Sequence, residues 1–192
     1  ANEDEIAIYA YGIEILLGIL IKFAIAITLA LLFGILKTVL IFMFTFSLFR
    51  FLGGGVHLST YLRCLTFGLF LVLGVGYLAT ILLPAPFIIS LFIAAILIGI
   101  WVCVKWVPAG TEKKQVTDPQ ERFRQKTKFL YSLSIYVLAV TLLLLQNQPT
   151  YAQACIYASL LSSFLITPLG YSVMNTVDKL FMLLNKGGEL DV

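Results

Sequence analysis

The chain has 192 residues, of which 60% are hydrophobic and 12% are charged, and its formal net charge is +3. Soluble globular chains are about 25% charged. This composition, with a mean hydropathy of +1.00, therefore excludes a soluble domain and predicts an all-α polytopic membrane protein forming a single domain over residues 1–192. The three cysteines are scattered through apolar contexts, which argues against a disulfide framework or a metal site. We expect no cofactor and no nucleic-acid partner.

The N-terminal region, residues 3–35, is predicted to form two helical pieces. A weaker polar stripe recurs at helical spacing and is formed by Tyr11, Glu14, Gly18 and Lys22. We therefore expect residues 1–18 to form an interfacial amphipathic helix and residues 19–35 to cross the membrane. The acidic cluster Glu3-Asp4-Glu5 differs from the basic start of a signal peptide, so we expect none here.

Five further hydrophobic runs follow, at residues 37–52, 61–83, 86–107, 129–145 and 150–169. They are separated by turn-forming segments, which are Gly53–Gly55, Pro84–Pro86, a long polar stretch and Gln146–Pro149. The run 37–52 is short, since about 20 residues cross a typical bilayer. It fits a short span, a tilted span or a re-entrant helix equally well. The pattern predicts about six hydrophobic helices, some of them re-entrant or interfacial.

Lysine and arginine placement predicts the orientation. Segment 105–128 carries seven of these residues, whereas the loops at 84–86 and 146–149 carry none. We therefore expect a basic cytoplasmic loop at 105–128, a cytoplasmic tail at 171–192 and both termini in the cytoplasm. The basic loop is interpreted either as a topology anchor alone or as a docking surface for an acidic peptide.

The stretch from Arg50 to Cys64 contains several ionisable and reactive side chains in a chain that is otherwise mostly apolar. It contains the only histidine, His57, together with three consecutive glycines and a second arginine, Arg63. Ionisable residues are costly at membrane depth and usually serve a function there. A histidine that accepts the thiol proton turns a cysteine into a competent nucleophile at neutral pH.

His57 and Cys64 cannot be partners on one straight helix, because seven residues correspond to a rise of about 10 Å. If the two residues form a catalytic pair, the backbone must bend between them. The glycines Gly53–Gly55 favour a loop, and Ser59 or Thr60 is a suitable N-cap for the following helix. His57 would then lie in the loop, and Cys64 would lie about one turn inside the helix.

Other side chains have more open interpretations. Arg50 and Arg63 could add positive potential near the thiol, and Asn175 or Asp178 could orient His57, unless a backbone carbonyl does so or no third group exists. Cys103 and Cys155 lie in apolar helical runs without a nearby histidine and are predicted to be packing residues. A transporter is the main alternative class, with a glycine helix break and an anion-binding Arg50. A purely structural membrane adaptor is a weaker alternative.

Two motifs resemble the accessory gene regulator B (AgrB) family, bacterial membrane cysteine peptidases that mature a quorum-sensing propeptide. The first consists of Arg50, a glycine run ending at Gly55, then His57 and Cys64. The second is Val107-Pro108-Ala109-Gly110-Thr111-Glu112, which departs from the usual family pattern at Gly110. A further departure is at Gln115, and both concern details of the loop.

The resemblance implies that Cys64 is the nucleophile and that His57 acts first as base and then as acid. Supporting roles fall to Arg50, Gly54, Gly55 and Arg63. The implied substrate is an AgrD-like propeptide, cut before its charged tail and cyclised as a thiolactone or lactone. The tail would dock on basic residues, with Lys113, Lys114 and Arg122 as candidates. The resemblance further implies a homodimer in a bacterial cell membrane, in contact with lipid, and the lysine and arginine placement predicts that the active site lies towards the cytoplasm.

Overall fold

The computed structural model of the chain describes residues 3–56, 58–109 and 118–187. These residues fold into seven helices, which are α1 Glu3–Leu32, α2 Leu36–Gly53, α3 Tyr61–Leu78, α4 Ala85–Trp106, α5 Pro119–Leu145, α6 Pro149–Ile166 and α7 Pro168–Gly187. The all-helical prediction is confirmed, and α2 to α6 follow the five hydrophobic runs read from the sequence.

The N-terminal region is one helix, so the prediction of two separate pieces is wrong. Helix α1 continues for 30 residues from Glu3 to Leu32. No proline interrupts it, and its internal glycines cost too little to break a helix that packs on its neighbours. The helix ends before Gly34, whose φ of 69° is readily adopted only without a side chain. The interfacial position of residues 1–18 stays a prediction.

Several helices are long and apolar enough to cross a membrane. Helices α2, α3, α4 and α5 each meet that description, and α6 with α7 forms a bent pair that would make a fifth span. The apolar part of α1, Leu16–Leu32, is shorter. The predicted set of about six hydrophobic helices is therefore confirmed, while the sidedness of the chain stays a prediction.

Helix α6 lies at the centre of the bundle. It packs against α2 and α4 most extensively, and also against α3, α5 and α7. Its buried positions are rich in small residues, including Ala152, Ala154, Ala158, Ser162 and Ser163. Small side chains let helices approach closely where lipid gives no hydrophobic drive between them.

The segment predicted as a loop at 105–128 is partly helical. Helix α5 begins at Pro119, a residue suited to the first helical position, and the Asp118 carboxylate accepts a hydrogen bond of 3.1 Å from the Gln120 backbone N–H. Because of these two start signals, the helix begins about ten residues before the hydrophobic run. Of the basic residues, Arg122 is exposed in the first turns of α5, whereas Lys113 and Lys114 lie outside the described residues.

The polar tail contains an additional amphipathic helix, α7, which the hydrophobic pattern did not reveal. It departs from α6 at an angle of 86°. Pro168 cannot continue α6, and a side chain at Gly170 would overlap the Phe164 carbonyl oxygen, so the turn is tight. One face packs on the bundle, and a second carries exposed apolar residues, among them Leu169 and Leu180. Such a helix is suited to a membrane interface.

A buried glutamine connects α6 to the turn between α3 and α4. Gln153 is fully buried, accepts a hydrogen bond from the Leu83 N–H and donates one to the Ile81 carbonyl at 2.8 Å. We expect Gln153→Leu to lower stability by about 2–3 kcal/mol, because it leaves backbone groups without partners. The midpoint of thermal unfolding in detergent measures this change. Gln148→Leu is the control, since that side chain is exposed and forms no cap. Equal midpoints for the two variants would contradict the assignment.

Candidate active site

A non-helical loop separates α2 from α3, at the place where the sequence predicted a bend. Helix α2 ends at Gly53, and the described residues up to Thr60 are not helical. Gly54 and Gly55 have φ angles of 77° and 121°, which side-chain-bearing residues rarely adopt. His57 lies outside the described residues, so its contact with Cys64 stays a prediction. The break itself is confirmed.

Arg50 holds the start of this loop. It lies in the last turn of α2, and its guanidinium donates to the Gly54 carbonyl at 3.0 Å and to the Val56 carbonyl at 2.6 Å. A side chain at Gly55 would overlap that guanidinium. Arg50 therefore satisfies carbonyl groups of the loop that follows the helix, and Gly55 leaves the space in which it can do so.

A short β-bridge joins the two sequence motifs. The Ala109 N–H donates to the Gly53 carbonyl at 2.8 Å, and the Gly55 N–H donates to the Ala109 carbonyl at 3.2 Å. A Cβ at Gly54 would overlap the Ala109 carbonyl oxygen. The segment after α4 thus fixes the glycine loop from outside, which the spacing of the motifs alone could not reveal.

Cys64 lies in the first turn of α3, as predicted. Its backbone N–H donates to the Thr60 carbonyl at 3.1 Å, and Thr60 is the N-cap residue, although its hydroxyl makes no capping bond. The thiol is free and partly exposed. A cysteine at this position is one turn from unpaired N–H groups, which favour negative charge.

Cys64 opens into a cavity of about 320 Å³ whose wall is mostly apolar. The polar residues on this wall, besides Cys64, are Lys22, Ser47 and Arg50. Lys22 extends from α1 into space left by Gly68, where a Cβ would come within 2.5 Å of its Nζ atom. The sequence reading placed Lys22 in a polar stripe but did not connect it to Cys64, because the α1–α3 packing that joins them is tertiary.

The Arg63 guanidinium is paired with the carboxylate of Asp178. Its Nη1 atom lies 3.3 Å from the Asp178 carboxylate and donates to the Ser59 hydroxyl at 2.9 Å. Ser59 in turn donates to Asp178 at 3.0 Å. The positive potential predicted from Arg63 is therefore largely balanced by a carboxylate. Asn175, the other residue considered as a partner of His57, is exposed on α7.

The two remaining cysteines are packing residues, as predicted. Cys103 is 2% exposed and Cys155 is 7% exposed. The Cys103 thiol lies 3.7 Å from the Lys126 carbonyl, and Cys155 accepts from the Thr45 hydroxyl at 3.7 Å. Neither lines the cavity at Cys64. In the described ranges, histidine, cysteine and acidic residues form no cluster of three that could hold a metal ion.

These features define a class of protein. The chain is a multi-pass helical membrane protein in which a glycine loop, held by an arginine and by a second motif, lies beside a cysteine in an apolar cavity. The family model of accessory gene regulator B matches residues 1–166. The chain belongs to that family.

Two similar proteins come from Clostridium perfringens, and both are described as AgrB-like. The one from strain SM101 is 29% identical over 134 residues, and the one from strain 13 is 28% identical over 134 residues. Each alignment covers 68% of this chain and 63% of the relative, so the match spans less than two thirds of their length. No solved structure gives a significant match.

Proposed function

We propose that the chain is a membrane cysteine endopeptidase that removes the C-terminal tail of an AgrD-like propeptide and promotes cyclisation of the remaining peptide. The observation that carries this proposal is the placement of Cys64. Cys64 lines a mostly apolar cavity beside the loop that contains His57. A free cysteine in that position is available to a peptide, whereas Cys103 and Cys155 are not.

The proposed reaction begins with His57 accepting the Cys64 thiol proton. The thiolate attacks the carbonyl carbon before the tail, and the resulting tetrahedral intermediate carries a negative oxygen. Lys22 places positive charge on the cavity wall, which favours that intermediate over the neutral substrate, while Arg50 holds the loop beside it. His57 then returns the proton to the leaving amine, the peptide C–N bond breaks, and an acyl thioester remains on Cys64.

Ring closure requires a nucleophile within the peptide to displace Cys64 before water does. The side-chain thiol or hydroxyl attacks the thioester carbonyl, its proton passes through His57 to the Cys64 sulfur, and the cyclic product leaves. The apolar wall of the cavity disfavours water. A peptide held in this space brings its own nucleophile beside the thioester at high effective concentration.

Three further elements of the proposal come from the family and from charge placement. We infer a homodimer in a bacterial cell membrane, with the cavity reached from the cytoplasmic side. Lipid contacts the exposed apolar faces of the spans. The tail of the propeptide docks on the basic segment before and at the start of α5.

The docking role predicts an effect of charge reversal. Changing Lys113, Lys114 and Arg122 to glutamate should slow processing of an acidic-tailed propeptide by about tenfold, because several screened surface attractions of a fraction of a kcal/mol each are lost and reversed. Initial cleavage rates at low substrate concentration measure the effect. A propeptide whose tail acids are replaced by lysine should reverse the order of the two enzymes. Equal rates for all four pairs would leave the segment as a topology anchor only.

The direct test is co-expression with an epitope-tagged AgrD-like propeptide in a host that lacks the system. The expected products are a free tail and a peptide one water lighter than the hydrolysed fragment, identified by mass spectrometry. A transporter would instead export an uncut propeptide, and that result would refute the peptidase assignment. A linear product alone would refute the cyclising step while keeping the cleavage.

A further inference from the structure

Helix α7 lies beyond the family match, which ends at residue 166, yet it packs on the loop beside Cys64. Met174 of α7 is buried in one cluster with Val56 and Leu58, the residues on either side of His57, and with Leu165 of α6. The tight 86° turn after α6 directs the helix across this loop. The loop is therefore covered by a segment that follows the matched residues.

A closed polar triad connects α7 to the same loop. The Asp178 carboxylate accepts from the Ser59 hydroxyl at 3.0 Å and lies 3.3 Å from the Arg63 guanidinium, while Arg63 donates to Ser59 at 2.9 Å. The side chains of Arg63 and Asp178 are only 18% and 15% exposed. Ser59 itself is exposed, but hydrogen bonds in which one partner is charged are shorter and roughly twice as strong as those between neutral groups.

The two partners of Asp178 lie close in sequence to the proposed catalytic residues. Ser59 follows His57 by two residues, and Arg63 immediately precedes Cys64. One carboxylate thus holds the chain just after the proposed base and just before the proposed nucleophile. The preceding glycines are conformationally permissive, so this end of the loop depends on outside contacts for its geometry.

We propose that Asp178 is a positioning residue of the Cys64 site, acting through Ser59 and Arg63 to hold the loop in the conformation that lets His57 serve Cys64. This inference rests on the proposed function, and Asp178 itself touches neither substrate nor the reacting atoms. The carboxylate is the only group of the triad that accepts from both partners. Asparagine has a similar shape but loses the charge that strengthens both bonds.

The first test compares cleavage kinetics of full-length variants in membranes. Asp178→Asn should lower kcat by about tenfold with little change in KM, because a lost hydrogen bond to a charged group is expected to misplace the acylating pair and not the bound peptide. The charge swap of Arg63→Asp with Asp178→Arg should recover most of kcat. Ser172→Lys, which makes the same change in net charge on the exposed side of α7, should behave as the unaltered chain.

The second test needs no peptide substrate. In a Cys103→Ala, Cys155→Ala background, Cys64 is the only thiol, and its rate of alkylation by iodoacetamide reports its activation. Asp178→Asn should slow alkylation severalfold when His57 is present and have no further effect in a His57→Gln chain, since effects that act through one partner are not additive. Size-exclusion profiles in detergent verify that each variant is folded.

Unchanged kcat together with unchanged alkylation in Asp178→Asn would overturn the inference. So would equal slowing with and without His57, or failure of the charge swap to restore kcat in a folded chain. If no propeptide is cleaved by the unaltered chain, the proposed function fails, while the alkylation cycle still decides whether Asp178 positions His57 and Cys64.

Discussion

Replacing Cys64 with alanine is expected to abolish cleavage of the propeptide, lowering the rate by about 10⁴-fold or more, as removal of a catalytic nucleophile does in other proteases. No second thiol can take its place, because Cys103 and Cys155 are buried in helix packing away from the cavity. The measurement is the fraction of tagged propeptide cut during co-expression. Membrane abundance should be unchanged, since the Cys64 side chain is partly exposed.

The matched controls are Cys103→Ala and Cys155→Ala. Each removes one thiol from an apolar environment, so each should reduce stability slightly and leave the rate of cleavage per folded molecule unaltered. Full cleavage by the Cys64→Ala chain would eliminate the cysteine mechanism. Loss of cleavage in either control at normal abundance would equally contradict the assignment of Cys64 as the sole nucleophile.

Substituting Gly55 with alanine is expected to reduce cleavage by about 100-fold, the size of effect that a misplacement of about 1 Å can cause. The new methyl group would overlap the Arg50 guanidinium and lie 3.1 Å from the Leu165 carbonyl oxygen. The φ of 121° adds backbone strain of about 1–3 kcal/mol for a residue with a side chain. Arg50 must then release the loop carbonyls that it holds.

Gly74→Ala is the matched control for this change. Gly74 lies within α3, and nothing lies within 4 Å of the position that its Cβ would occupy. Alanine should be tolerated or slightly stabilising there because of its helix propensity. Cleavage rates normalised to the amount of folded protein compare the two variants. A Gly55→Ala chain as active as the Gly74→Ala chain would show that the Arg50 contact does not govern the site.

The alternative interpretation as a transporter used the same features, with the glycines as a helix break and Arg50 as the residue that binds an anionic substrate. The contacts of Arg50 bear on it directly. Its guanidinium donates to the Gly54 and Val56 carbonyls, so both bonds serve the loop of the protein itself. An arginine engaged in this way is better suited to shaping a site than to capturing a transported anion.

The sequence alone determined the helical class and the approximate extent of α2 to α6. Long apolar runs separated by proline, glycine and polar turns form helices in a membrane, because a helix satisfies its own backbone hydrogen bonds. It also determined that the chain bends between His57 and Cys64, since helix geometry forbids their contact otherwise. The position of Cys64 about one turn inside α3 followed from local rules too, with Ser59 or Thr60 as the expected N-cap, and the structure has Thr60 there.

Predictions of helix boundaries from local sequence were wrong where the same segment carried signals for more than one structure. Residues 3–32 form one helix although their polarity changes along the way, because nothing in them stops the backbone hydrogen bonds. Part of the basic segment belongs to α5. Asp118 and Pro119 favour a helix start there, and this preference outweighs the tendency of a charged segment to form a loop. Helix α7 was not predicted because its apolar residues alternate in sequence with polar ones and do not form one long continuous run.

The tertiary structure decided which distant residues lie beside Cys64 and its loop. Lys22 reaches the cavity through the packing of α1 on α3, Ala109 fixes the glycine loop by a β-bridge, and Asp178 engages Ser59 and Arg63 from the far end of the chain. None of these pairings has a signature in local spacing, since each depends on how whole helices pack. The sequence by itself predicted helices α2 to α6 and singled out Cys64, and the packing of the helices determined what surrounds that cysteine.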